Sequence, residues 1–382
     1  MTTLLFIIYL CFISLGLPDA VLGSAWPILS PEMGVPLSYM GIISAIISAG
    51  TISSSLHSHR LINKIGVVWV VALSTSLTVL GLYGFGNSDT FLLLCLSAIP
   101  YGLGAGSVDA ALNNFVALHF ESRHMSWLHC MWGLGAAMGP YTMSWILLGG
   151  GHWSVGYLLL AAIQGGITLL VISSRSLWNR ETKDNPSEPV QTVLSLREVL
   201  SIPGVKQLSV TFFCYCSLEQ ISGLWATSFF VYHRAITPEL ATSLTALYYL
   251  GITFGRGICG FFTLKWKDEQ LIRGGFFLIA CGIAAIFIPY NPLNYLGLLV
   301  VGLGSSPIYP CIIHSIPTYF GATSSQAITG IQMASAYTGC LTMPFLFGLL
   351  ANHISVGLFP IFLLFLLLGM LVMYQSLQKN IH

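Results

Sequence analysis

The sequence predicts an all-α membrane protein whose twelve transmembrane helices form two pseudo-symmetric six-helix bundles. Three observations carry that prediction. Of 382 residues, 55% are hydrophobic and 7% charged, against roughly a quarter charged in soluble domains. Twelve apolar runs are long enough to cross a bilayer, which takes about 20 residues. A single offset of 200 residues superimposes two distant pairs of those runs.

With Gly, Pro, Asn and charge clusters taken as breaks, the runs cover 3–29, 37–58, 66–86, 90–119, 125–149, 153–173, 207–232, 239–264, 270–289, 292–319, 325–351 and 356–377. The first lacks a basic leader and an A-x-A-like cleavage site, so it is expected to stay as span 1 rather than leave as a signal peptide. The stretch 174–206, "SRSLWNRETKDNPSEPVQTVLSLREVLSIPGVK", is long and polar. It divides an N-terminal bundle (1–173) from a C-terminal bundle (207–382) as a cytoplasmic linker, with a short interfacial helix expected in "VLSLREVLS".

Orientation follows from the Lys and Arg bias. Arg60, Lys64, Arg123, Arg175, Arg180, Lys183, Arg197, Lys206, Arg256, Lys265, Lys267, Arg273 and Lys379 all fall on one side, and only Arg234 on the other. Both termini are therefore expected in the cytoplasm, with the chain spanning the cell membrane many times. A formal net charge of +1 points to no nucleic acid or acidic partner. The nine cysteines form no CxxC pair and read as small packing residues. With no phosphate loop, metal-ligand spacing or long soluble domain, the chain is not expected to be an enzyme or to carry a cofactor. The expected partners are a small-molecule substrate and the lipid bilayer, with the chain a monomer.

The repeat sets "FISLGLPDAVLGSAW" (12–26) against "FFCYCSLEQISGLWA" (212–226), so that Asp19 faces Glu219. The same offset sets "YGLGAGSVDAALNNFVALHF" (101–120) against "VGLGSSPIYPCIIHSIPTYF" (301–320), so that Asp109 faces Tyr309. Two matches in one register predict a duplicated six-helix unit, as is common in transporters.

Three acids fall inside spans: Asp19 in span 1, Asp109 in span 4 and Glu219 in span 7. A charged side chain at mid-membrane costs about 2.5–3.5 kcal/mol on insertion scales, and such groups usually face a cavity on an ion or substrate path. A carboxyl whose proton occupancy follows water access suits proton coupling, and all three are candidates for it. Pro18, Gly16 and Gly23 weaken the helix around Asp19, and freed backbone is tolerated at that depth only against protein or a cavity. The plainer alternatives are that Asp19 caps the break and that Asp109 and Glu219 make packing hydrogen bonds.

Asn113 lies four residues from Asp109, on the same helix face. Gly102, Gly104 and Gly106 before it are expected to let a neighbouring helix approach. In span 5, "SWLHCMWGLGAAMGP" puts His129 and Trp132 three residues apart, able to face one cavity; the alternative for His129 is a packing donor. Asn113, His129, Trp132, Gln220, Trp225 and Tyr309 are the candidate substrate-binding residues. Trp26, Tyr337, Gln164, Gln332 and His314 are weaker ones. Arg256, in "GRGICG", reads as a cytoplasmic gate or headgroup contact.

Over its whole length this pattern resembles the major facilitator superfamily. The loop after span 2, "HRLINKIG" (59–66), is similar to that family's G-x-x-x-D-R/K-x-G signature, with Asn63 at the aspartate and Lys64 and Gly66 kept. The resemblance implies a gating role for Asn63 and Lys64. "LPDAVLGSAWP", "GAGSVDAALNNFVA" and "FESRHMSWLHCMWGLGA" resemble segments of the fucose permease and related sugar:proton symporters. That implies alternating-access symport of a sugar or similar polar solute, proton coupling at Asp19 and sugar contact around Asp109. The proton gradient is then the energy source, with sodium left open. "GAAMGP" (135–140) fits the GxxxGP core of drug:proton antiporters, so export of amphipathic compounds is the alternative function. A non-transporting receptor on the same fold is a third.

Overall fold

A computed structural model describes residues 2–120, 122–181, 196–262 and 265–381. Span 1 is two helices, α1 (Thr2–Gly16) and α2 (Val21–Glu32). Spans 2 to 6 are α3 (Tyr39–Ile65), α4 (Val67–Gly86), α5 (Phe91–His119), α6 (Ser122–Leu148) and α7 (Trp153–Ser173). Two short helices follow, α8 (Arg175–Glu181) and α9 (Leu196–Ser201), the second at the expected interfacial segment. Linker residues 182–195 lie outside the described residues. Spans 7 to 9 are α10 (Val205–Arg234), α11 (Pro238–Phe262) and α12 (Asp268–Phe287). Span 10 is again split, into α13 (Asn291–Ser305) and α14 (Ile308–Phe320), and α15 (Ala322–His353) and α16 (Phe359–Ile381) complete the set.

Among the described residues, nine helical stretches are long and apolar enough to cross a membrane by length and composition alone. The three long helices outside that set, α6, α10 and α11, are those that carry His129 and Trp132, Glu219, and Arg256.

The break in span 1 is a turn over residues 17–20. Pro18 has no N–H to continue the helix. Short turn bonds take up the freed groups, Asp19 N to Gly16 O at 3.1 Å and Val21 N to Pro18 O at 3.1 Å. In span 10 the chain turns at Ser306 and Pro307. The repeat partners of the two prolines are Leu218 and Ser107, and α10 and α5 run unbroken through them. The two halves therefore share a register without sharing a kink.

Within the N-terminal half, α5 sits against α3 and α4, and α6 against α1. The glycines of α5 act as expected: a Cβ at Gly102 or Gly106 would overlap the Ile47 or Thr51 carbonyl of α3. Across the halves, α6 packs on α11, α3 on α15, and α2 on α10 and α11, while α1 packs on α5, α6 and α7 of its own half. Tyr232 donates to the Pro27 carbonyl at 3.0 Å, Thr242 to Ser24 at 3.0 Å, and Ser144 to Glu239 at 2.7 Å. These bonds join the halves at the end away from the chain termini.

Candidate functional site

Between the halves lies a chamber of about 300 Å³. Its walls include all three intramembrane acids, Asp19, Asp109 and Glu219, together with His129, Trp132, Gln220 and Tyr309. The turn in span 1 is what carries Asp19 there. Gly16 meets the Trp132 carbonyl on α6, and Gly135 and Gly139 of α6 meet the Ile13 and Leu17 carbonyls, so span 5 lies directly on the break. The small residues of "GAAMGP" thus serve close packing here, and that packing sets Trp132 beside Asp19.

Both oxygens of the Asp19 carboxyl are engaged by neutral donors. Tyr101 Oη donates to Oδ1 at 2.9 Å, and Trp132 Nε1 donates to Oδ2 at 2.7 Å. On α5, Asn113 Nδ2 donates to Asp109 Oδ1 at 2.9 Å and to the Asp109 carbonyl at 3.0 Å. Asn113 therefore orients Asp109 instead of standing in the chamber wall, a correction to its expected role as a substrate ligand. His129 sits edge-on to Phe12, with ring centroids 6.0 Å apart, and 6.2 Å from the ring of Tyr309.

Arg256 is the largest departure from expectation. It lies in the chamber, not at a gate, with Nη2 at 3.8 Å from Glu219 Oε1 and its guanidinium 5.3 Å from the centre of the Trp132 ring. It is six residues inside the end of α11, about 9 Å along the axis, so it also leaves the set of loop cations. Trp225 is a second correction. It is fully buried within the C-terminal half, edge-on to Phe347 at 5.1 Å, and forms no part of the chamber wall. Asn63 and Lys64 are exposed at the end of α3, away from the chamber.

Of the weaker candidates, Tyr337 lines the chamber. Gln164 bonds to Thr78, Gln332 to Ser209, Trp26 to the Leu37 carbonyl and His314 to Asp268, each a structural contact. Residues not expected from the sequence supply much of the polar wall: Tyr101, Tyr157 and Tyr249, and Ser44, Ser48 and Thr51 on α3. Their spacing was a usable signal, since 44, 48 and 51 share one helical face, as do 101, 105 and 109. No three His, Cys, Asp or Glu side chains among the described residues converge as a metal set.

This geometry can hold a small molecule between the two halves, beside carboxyls that meet it from both. Residues 8–331 match the sequence profile of the Major Facilitator Superfamily. The chain belongs to the major facilitator superfamily. Like its relatives in that superfamily it is a membrane transporter and not an enzyme. It is 21% identical to "Bypass of stop codon protein 6" of Saccharomyces cerevisiae, over 92% of this chain and 77% of that one. It is 22% identical to the glucose/mannose transporter GlcP of Bacillus subtilis, over 92% and 90%. It is also 22% identical to the sodium-dependent glucose transporter 1A of Mus musculus, over 90% and 89%. Among solved structures, the nucleoside transporter NupG shares the superfamily fold, with a TM-score of 0.77 at 10% identity over 98% of this chain and 99% of that one.

Proposed function

We propose that the chain is a proton-coupled symporter of a hexose or a similar polyhydroxylated solute, working by alternating access, with both termini cytoplasmic. The observation that carries this reading is Asp19: a carboxyl at the break of a membrane span, held by a tyrosine hydroxyl and an indole N–H, opening on a chamber walled with hydroxyls. The hydroxyls of Tyr101, Tyr249, Tyr337, Ser44, Ser48 and Thr51 match the donors and acceptors of a sugar, and His129 and Tyr309 offer ring faces for its C–H surface. The chamber lies midway along the spans, where the halves of such transporters rock about their site. In the state described, the halves meet at the end away from the termini, which on the Lys and Arg bias is the outer face. Proton and solute then enter from outside in the opposite state and leave to the cytoplasm from this one. Two relatives named as glucose transporters support the solute class.

The test uses proteoliposomes and a labelled hexose panel. An inward proton gradient should drive accumulation, and Asp19→Asn should abolish accumulation while leaving exchange of labelled for unlabelled solute. A second reading, sodium coupling, is favoured by the name of the mouse relative. Accumulation driven by a sodium gradient at equal pH would replace the proton with sodium, and no hexose accumulation under either gradient would overturn the solute class.

A further inference from the structure

We propose that Met333 is a positioning residue for the solute: in the empty chamber its thioether holds the Tyr309 hydroxyl, and the bound solute takes that hydroxyl over. The proposal rests on the polyhydroxylated-solute reading above and deepens it by picking out a chamber hydroxyl that is free to change partner.

Tyr309 Oη donates to Met333 Sδ at 3.4 Å, and both residues line the chamber. A thioether is a weak acceptor, so this phenol spends its proton on a poor partner while it faces the space a solute would fill. Tyr101 and Thr51 show the contrast. Tyr101 donates to the Asp19 carboxyl at 2.9 Å, and Thr51 to the Ile47 and Gly102 carbonyls at 3.0 and 3.2 Å. Each already has oxygen for an acceptor, and exchanging it for a sugar oxygen gains nothing. Tyr309 has sulfur, and for it the exchange is favourable.

The exchange needs no movement of the ring. Tyr309 lies in the first turn of α14, just past the break in span 10. Its ring is held from its own half by Phe212, with centroids 5.1 Å apart, and from the other half by His129 at 6.2 Å. Only the O–H has to turn about its bond to the ring, from the sulfur to an oxygen of the solute, and such a hydroxyl rotates to suit its acceptor. An oxygen acceptor in the place of the sulfur would be orphaned by that turn, at the penalty of any polar group left unpaired in a dry wall. A thioether is soft and nearly apolar, so it is left unpaired at little cost. Methionine therefore orients the phenol while the chamber is empty and lets it go when the chamber fills.

The experiment is equilibrium binding of the labelled hexose panel to the purified full-length protein in lipid. Met333→Leu keeps the bulk and has no acceptor; it should bind about two- to threefold more tightly than wild type, because no bond has to be given up. Met333→Gln puts an amide oxygen where the sulfur was and should bind about tenfold more weakly, the worth of one ordinary hydrogen bond. Tyr309→Phe should weaken binding and, combined with either Met333 variant, should erase the difference between the two. Where Met333→Gln does not fold, wild type against Met333→Leu, each with and without Tyr309→Phe, reads the same coupling. Monodeoxy forms of the bound hexose then identify the solute oxygen, as the one whose removal weakens binding to wild type and not to Tyr309→Phe. A Met333 effect that survives Tyr309→Phe would be one of shape alone and overturns the proposal, as does equal binding by wild type and all the variants. Both of those results leave the solute class standing. A wild type that binds no hexose removes the solute class, and the exchange with it.

Discussion

Trp225 shows at the scale of one residue how position in the packing decides a role. Its ring is fully buried between α10 and α15, and its indole N–H has no hydrogen-bond partner among the described residues. What it contributes is area and shape. Trp225→Ala should therefore cost about 3–5 kcal/mol of stability, the usual range for deleting a large buried aromatic. Trp225→Phe should cost clearly less, because the ring contact with Phe347 is kept and no acceptor is left unpaired. Denaturant unfolding in detergent measures both, and equal losses in the two variants would mean the indole nitrogen has a partner that matters. The sequence could not place this residue: Trp225 lies six positions after Glu219, a rotation that leaves it about 120° off the chamber face. An aromatic near a functional acid in sequence is thus not one near it in space. Tyr101 shows the converse, a tyrosine with an ordinary sequence context that becomes the donor to Asp19 once α5 is laid beside span 1.

At the scale of elements, the contact between span 1 and α6 builds the candidate site. A Cβ on Gly135 would overlap the Ile13 carbonyl and crowd the Leu17 amide, just before the turn that presents Asp19. Gly135→Ala should push the two helices apart, cost about 1–3 kcal/mol as overpacking does, and draw Trp132 away from the carboxyl. Gly165 and Gly166 of α7 are the controls, since a Cβ at either meets open space. Gly165→Ala should be stabilising by about 0.5–1 kcal/mol, from helix propensity alone. Thermal unfolding of the three proteins side by side checks the signs, and destabilisation by both substitutions would mean glycine is needed for something other than contact. Much at this scale was legible, because run length and the punctuation of Gly, Pro and Asn are local properties. Helix ends fell within a few residues of expectation for most spans, and the acid in the apolar run marked the break. Arg256 was not legible in the same way. It lies near the end of an apolar run, close in sequence to Lys265 and Lys267, and one to two helical turns separate a gate from a chamber wall.

At the scale of the whole molecule, the repeat was visible because two fixed-register matches survive in the sequence, and it brings Asp19 and Glu219 to one chamber from opposite halves. Its asymmetry was hidden, since it depends on two prolines that the partner spans lack. The same is true of the conformational state, which depends on contacts between helices far apart in sequence. Those contacts join α2, α3 and α6 to α10, α11 and α15, and the bonds from Tyr232, Thr242 and Ser144 tie them off at the end away from the termini. For the chamber to open at that end, these surfaces have to part. A Cβ at Gly41 on α3 would stand 2.8 Å from the Cα and 3.4 Å from the Cβ of Phe345 on α15, so a small parting of the two helices brings the Cβ pair to the spacing of bonded cysteines, about 3.5–4.5 Å. In a background free of the nine native cysteines, Gly41→Cys with Phe345→Cys should cross-link on mild oxidation. The oxidised protein should lose solute exchange and regain it on reduction. A chamber probe at Ser48→Cys, labelled with a maleimide from the termini side, should react equally in both forms, because the link leaves that entrance alone. Exchange at full rate through an oxidised, fully cross-linked protein would mean that the far end need not open, and that the halves do not rock about this chamber.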